Sequence, residues 1–168
     1  MIELILDKKT AFRILKNRNR IEKGLKVKIS VGKGKVSFTG EAEDEYVARD
    51  VIEAIDAGFS INKALLLVEE DYILEKIHIR DISKKNIYSI KSRIIGEKGK
   101  TLSLISELSG CFIELKESDV FVIGHVEDIK DCVHALTCLI RGIKQSNIYR
   151  YLEEGRNRRK FPEDLGLR

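Results

Sequence analysis

The stretch Ser92-Arg93-Ile94-Ile95-Gly96-Glu97-Lys98-Gly99-Lys100-Thr101-Leu102 decides how this chain is read. Two glycines three positions apart stand between one segment of helical apolar spacing, Asn86 to Ile94, and another, Thr101 to Ser109. Glycine at both ends of so short a connection permits torsions and close approaches that a Cβ forbids. The loop amides, with the N-terminus of the helix behind them, offer donors and a positive dipole to an anion. Arg93, Lys98 and Lys100 add charge to the same place.

Outward from the loop, one architecture is found twice. Val36 to Glu70 laid over Val120 to Glu154, at an offset of 84 with no gap, gives seven identities in 35 positions. These are Val36/Val120, Gly40/Gly124, Glu43/Glu127, Asp44/Asp128, Gly58/Gly142, Glu69/Glu153 and Glu70/Glu154. Upstream, Val27, Ile29 and Val31 fall over Cys111, Ile113 and Leu115 and alternate as half-buried strands do. A repeat at a fixed offset marks a duplicated structural unit. We divide the chain into units over 1–75 and 76–155 and a basic tail over 156–168.

Each unit opens with a strand, Ile2 to Leu6 or Ile77 to Ile82, and continues with an amphipathic helix, Lys9 to Lys23 or Thr101 to Ser109. A hairpin follows, turning at Gly32 to Lys35 or Lys116 to Asp119 and ending at Gly40 or Gly124. An acidic pair then opens a helix that Gly58 or Gly142 terminates, and a shorter helix follows, Asn62 to Glu70 or Ser146 to Glu154. From opening strand to hairpin the first unit uses about 25 residues and the second about 35, and the surplus holds the Gly-x-x-Gly loop. No glycine lies between Asp7 and Lys23, so the first unit is expected to lack both that loop and its first helix.

Charge is distributed in blocks. The net +4 arises from 31 basic and 27 acidic residues, yet Lys8 to Lys35 holds eleven Lys or Arg against Glu22 alone. Glu41 to Asp56 reverses the sign with seven acids against Arg49. A second basic window, Lys84 to Lys100, sets six cations against Glu97, and a third comprises Arg156, Arg158, Arg159 and Lys160. Blocks of this kind draw a polyanion to particular faces. Arg13, Lys16 and Arg20 in the first window, and the four cations of the third, are accessory candidates for phosphate contact.

The order strand, helix, loop, helix, strand, strand, helix around an I-I-G-x-x-G-K loop resembles the type I KH domain over nearly all of residues 76–145. The fold expected is α+β: two tandem type I KH-like repeats, each a three-stranded sheet backed by helices, the first degenerate. The resemblance implies single-stranded nucleic acid in a narrow groove beside the loop, which clamps about four nucleotides. It makes Gly96, Glu97, Lys98 and Gly99 the clamp, with Lys98 on the phosphates, and Ile94, Ile95, Leu102, Ile105 and Ile113 the groove floor. Ile95, Leu102 and Ile105 also suit the inner faces of their helices.

Over about 2–160, the segments Ala48 to Ser60, Ala64 to Leu67, Leu139 to Gly142 and Tyr149 to Glu153 make the chain similar to the archaeal Dim-two family, relatives of the partner-of-Nob pre-rRNA processing proteins. That resemblance implies binding near the 3′ end of small-subunit ribosomal RNA during maturation, and contact with the alpha subunit of initiation factor two. The competing expectation is a scaffold with little RNA affinity that binds a translation or processing factor through the sheet or through the acidic face at Glu41 to Asp56.

Other classes fare worse. His78, His125 and His134 have no partner at metal-ligand spacing, and no nucleophile elbow or Walker loop is present, so neither enzyme activity nor a metal or cofactor is expected. Cys111, Cys132 and Cys138 are odd in number without a C-x-x-C, which suggests neither a disulfide framework nor a zinc knuckle. No apolar run is long enough for a membrane span, and a cytoplasmic location is expected.

Overall fold

Asp7 closes strand β1 (Ile2–Ile5) and opens helix α1 (Lys8–Lys16), its carboxylate accepting the Thr10 amide at 2.6 Å. In the computed structural model, which describes residues 1–160, the first unit covers Met1–Leu74 and the second begins at Glu75. Helix α2 (Arg18–Leu25) follows α1 after Asn17 alone and leads into the hairpin β2 (Lys28–Gly32) and β3 (Lys35–Thr39). Helix α3 (Ala42–Ala57) begins with Glu43, Asp44 and Glu45 in its first turn, where carboxylates favour the helix dipole, and ends at Gly58. Ser60 caps α4 (Ile61–Leu65), which tightens into a 3₁₀ turn over Leu66–Val68.

The sheet of the first unit runs in the order β1-β3-β2, both pairs antiparallel, with Ile29 opposite Phe38 and Val31 opposite Val36. Ile29, Val36 and Phe38 are buried, as are Ile14, Ile21, Val51, Ile52 and Ile55 from the helices. Sheet and helices thus share one apolar layer, the arrangement that lets each hide its single greasy face.

The second unit repeats the plan. Strand β4 (Tyr72–His78) gives way to a helical turn α5 (Ile79–Ile82), then α6 (Ile87–Ile95) and α7 (Lys100–Ser109). Strands β5 (Phe112–Lys116) and β6 (Asp119–His125) make the hairpin, Ile113 facing Val122, in a sheet ordered β4-β6-β5. Helices α8 (Ile129–Arg141) and α9 (Gln145–Lys160) complete it. Its opening strand therefore lies earlier than the expected 77–82, whose last four residues are helical.

Two expectations are corrected. The first unit keeps its first helix: the amphipathic segment 9–23 is broken at Asn17 into α1 and α2, which correspond to α6 and α7. Arg13 of α1 donates to the carbonyls of Ile55 and Phe59, at 3.1 and 2.8 Å, and Arg93 of α6 donates to the carbonyl of Ile143. Phe59 and Ile143 are 84 apart, whereas Arg13 and Arg93 are 80 apart, as are the fully buried Ile14 and Ile94. By Ile21 and Ile105, again both fully buried, the offset is back to 84. Between these two pairs the first unit is shorter by four residues, the length of the loop 96–99.

The second correction concerns 156–168, expected as a tail. Residues 156–160 continue α9, because that helix is anchored by Ile148 and Leu152, both buried, and by polar bonds to α8. Tyr151 donates to Asp131 at 2.9 Å, and Arg159 pairs with Asp128 at 2.8 Å and also with Asp131. Burial, then Asp131, pushes the Tyr151 hydroxyl pKa upward. The remainder of the expected tail, 161–168, and the Lys160 side chain lie outside the described residues.

Candidate nucleic-acid interface

Asn86 starts α6 by accepting the amides of Tyr88 and Ser89, at 2.9 and 3.4 Å. The helix ends when Gly96 turns to φ 73°, ψ 178°, a conformation open almost only to glycine, with its amide still bonded to the Ser92 carbonyl at 2.8 Å. Lys98 at φ 51° and Gly99 at φ 75° are both left-handed, and the Gly99 amide returns to the Gly96 carbonyl at 3.3 Å. Helix α7 starts immediately behind, at Lys100.

Glu97, Lys98 and Lys100 are exposed, and the two glycines half-buried. The turn lifts two ammonium groups to solvent at the N-terminal end of α7, where the helix dipole is positive. Thr101 backs it: this residue is buried, and its hydroxyl accepts from Gln145 of α9 at 3.1 Å. The bond between Thr101 and Gln145 leaves no mark in the sequence, since a Thr at a helix start and a polar residue 44 positions later show no pattern.

The apolar candidates separate by depth. Of the residues expected on the groove floor, Ile94 and Ile105 are fully buried in the core and Ile113 is 8% exposed. Ile95, at 39% exposed, and the half-buried Leu102 do reach the surface beside the turn. A helix seats its inner stripe in the core and leaves the flanking positions at the rim, which the spacing alone does not apportion.

The cations separate too. Arg93 directs its guanidinium to the Ile143 carbonyl beyond the C-terminus of α8, and Arg13 reaches Ile55 in the last turn of α3 and Phe59 beyond it, so both hold the fold. Arg20 is exposed and bonds Asn62, Lys16 is exposed, and Arg158 is exposed while Arg156 is half-buried. Arg159 is paired twice with aspartates, which leaves Lys98 and Lys100 as the cations presented by the turn itself.

Cys111 and Cys132 are buried, and the Cys111 thiol is pushed up by its hydrogen bond with Cys132 and by burial, as suits inert core thiols. Among the described residues no cluster of three or more His, Cys, Asp or Glu is arranged to hold a metal, and no helix is long and apolar enough to cross a membrane.

The sequence profile "Eukaryotic type KH-domain (KH-domain type I)" matches residues 73–157. A KH domain-containing protein of Methanocaldococcus jannaschii is 32% identical over 151 residues, covering 85% of this chain and 66% of its own. The pre-rRNA-processing protein pno1 of Schizosaccharomyces pombe is 27% identical over 115 residues, 66% of this chain and 48% of its own. The chain thus spans between about half and two thirds of the length of these curated relatives. Among solved structures, the a/eIF2alpha-aDim2p-rRNA complex from Pyrococcus horikoshii OT3 contains a chain that superposes with a TM-score of 0.83 at 30% identity, over 93% of both chains. The architecture, the turn at 96–99 and these similarities agree, and the chain belongs to the type I KH-domain proteins of the Pno1 and Dim2 family.

Proposed function

We propose that this protein binds single-stranded RNA through its second unit and acts on small-subunit ribosomal RNA, near its 3′ end, during ribosome maturation. The observation that carries this reading is the exposed turn Gly96–Gly99, which offers backbone and the Lys98 and Lys100 ammonium groups to a phosphate chain beside Ile95 and Leu102. KH modules clamp about four nucleotides in this way. Glu97 to Gly99 hold the backbone, Lys98 and Lys100 neutralise it, and Ile95 and Leu102 meet the bases. Ile113, nearly buried, supports the floor from below. The reading contains no catalytic step and needs no cofactor or metal.

The pairing of rRNA and initiation factor in the archaeal complex supports a second element of the proposal: the alpha subunit of initiation factor two is a protein partner of this chain. The test is fluorescence anisotropy with a single-stranded oligonucleotide of the small-subunit 3′ sequence. The affinity should fall with salt, with a log–log slope of about −0.7 per phosphate contacted. Glu97→Asp combined with Lys98→Asp should lower affinity at least about tenfold, since two carboxylates then face the phosphates, with an unchanged circular dichroism spectrum. Wild-type affinity in that folded variant would contradict the site. Absence of RNA binding by the wild-type protein would favour the protein scaffold instead.

A further inference from the structure

Helix α1 of the first unit exposes Lys8, Lys9, Phe12, Leu15 and Lys16, and buries Thr10, Ala11 and Ile14. At 3.6 residues per turn the exposed five fall within about a third of the helix circumference. Phe12 is 66% and Leu15 51% exposed, so two large apolar side chains lie in water among three ammonium groups. Between Asp7 and Lys35 both carboxylates are engaged. The Asp7 carboxylate is held by the Thr10 amide, and Glu22, the lone acid in the next 28 residues, accepts from the Ile29 amide at 2.7 Å and from Arg18 at 2.9 Å.

An exposed aromatic ring set among cations is what non-sequence-specific single-strand binders use, with a base stacked on the ring and its phosphates on the flanking charges. An acidic peptide would satisfy the lysines and leave the phenyl face without a partner. We propose that the outer face of α1 is a second single-stranded RNA site, in which a base lies on Phe12 against Leu15 while Lys8, Lys9 and Lys16 hold adjacent phosphates. The first unit, without the four-residue turn, thereby binds RNA by stacking, whereas the second binds it by backbone. The proposal rests on the RNA reading above and extends it to the first unit.

The test uses the full chain and the same single-stranded oligonucleotide. Phe12→Leu keeps an apolar side chain but removes the π face, and should weaken binding about tenfold, while Phe12→Tyr should bind as the wild type. The position is exposed, so both variants should keep the wild-type circular dichroism spectrum. Wild-type affinity in Phe12→Leu would overturn the proposal and leave an acidic protein surface as the occupant of this face. The double variant at Glu97 and Lys98 separates the two claims. Weakening there with Phe12→Leu silent refutes the α1 site alone, and weakening in Phe12→Leu with the loop variant silent refutes the loop site alone.

Discussion

A Cβ at position 96 would stand 2.6 Å from the Cβ of Thr101 and 2.9 Å from its amide nitrogen, whereas a Cβ at position 99 meets nothing within 4 Å. The two glycines of the turn therefore serve different ends. Gly96 is required by packing and by torsion together, Gly99 by its φ of 75° alone. Gly99→Ala should cost about 1 kcal/mol of stability and Gly96→Ala at least about 2 kcal/mol, both read from urea unfolding. Adding Thr101→Ala should not restore the Gly96→Ala variant, because the Thr101 Cβ and amide remain. The sequence displays both glycines equally, and their difference is visible only once α7 folds back on the turn. Ile94 and Ile95 are the same lesson in adjacent residues: identical side chains, one fully buried and one 39% exposed, told apart by the direction in which the helix faces the sheet.

At the scale of elements, Arg13 on α1 and Arg93 on α6 each hold the end of the helix that directly follows their unit's hairpin. The carbonyls at a helix C-terminus have no partner within the helix, and Arg13 supplies two donors to that end of α3. Arg13→Ala should destabilise by about 1–3 kcal/mol, and Arg13→Lys should not fully compensate, since one ammonium does not reproduce a planar fork. Arg93→Ala should likewise lower stability while changing RNA affinity little at saturating folding conditions, which anisotropy and thermal unfolding can separate. In the sequence both arginines counted as phosphate candidates, because charge is legible there and the partner carbonyls, 50 residues away for Arg93, are not. A second element is tied by Glu22, whose carboxyl is held below its ordinary range of about 4.5 by the Ile29 amide and then by Arg18. A depressed carboxyl pKa stabilises the fold above the unfolded value, and that contribution is lost as pH falls through the folded one. Below pH 4.5 the wild type should therefore lose stability more steeply than Glu22→Gln, as acid titrations of the melting temperature would show.

For the whole molecule, duplication is the organising fact. The 84-residue offset made the two hairpins, the two long helices and their terminating glycines legible, because each depends on local spacing of apolar residues and on glycine. It misplaced the missing segment, since unaligned length before the hairpin mixes a shorter lead strand, an added helical turn and an absent loop. Only the conserved depth of Ile14 and Ile94, and of Ile21 and Ile105, isolates the four residues of the turn. Residues 156–160 read as tail for a related reason: a run of arginines is polar all round, and the helix there is held by Asp128 and Asp131 across the unit. The loop itself was legible because its glycines, cations and flanking helices are contiguous. The central claim, that this turn holds RNA, is tested most directly by amide chemical shifts of the ¹⁵N-labelled full chain titrated with the small-subunit 3′ oligonucleotide. We expect the amides of Gly96, Glu97, Lys98, Gly99 and Lys100 to shift on saturation. Unshifted loop amides in a chain saturated with RNA would contradict it.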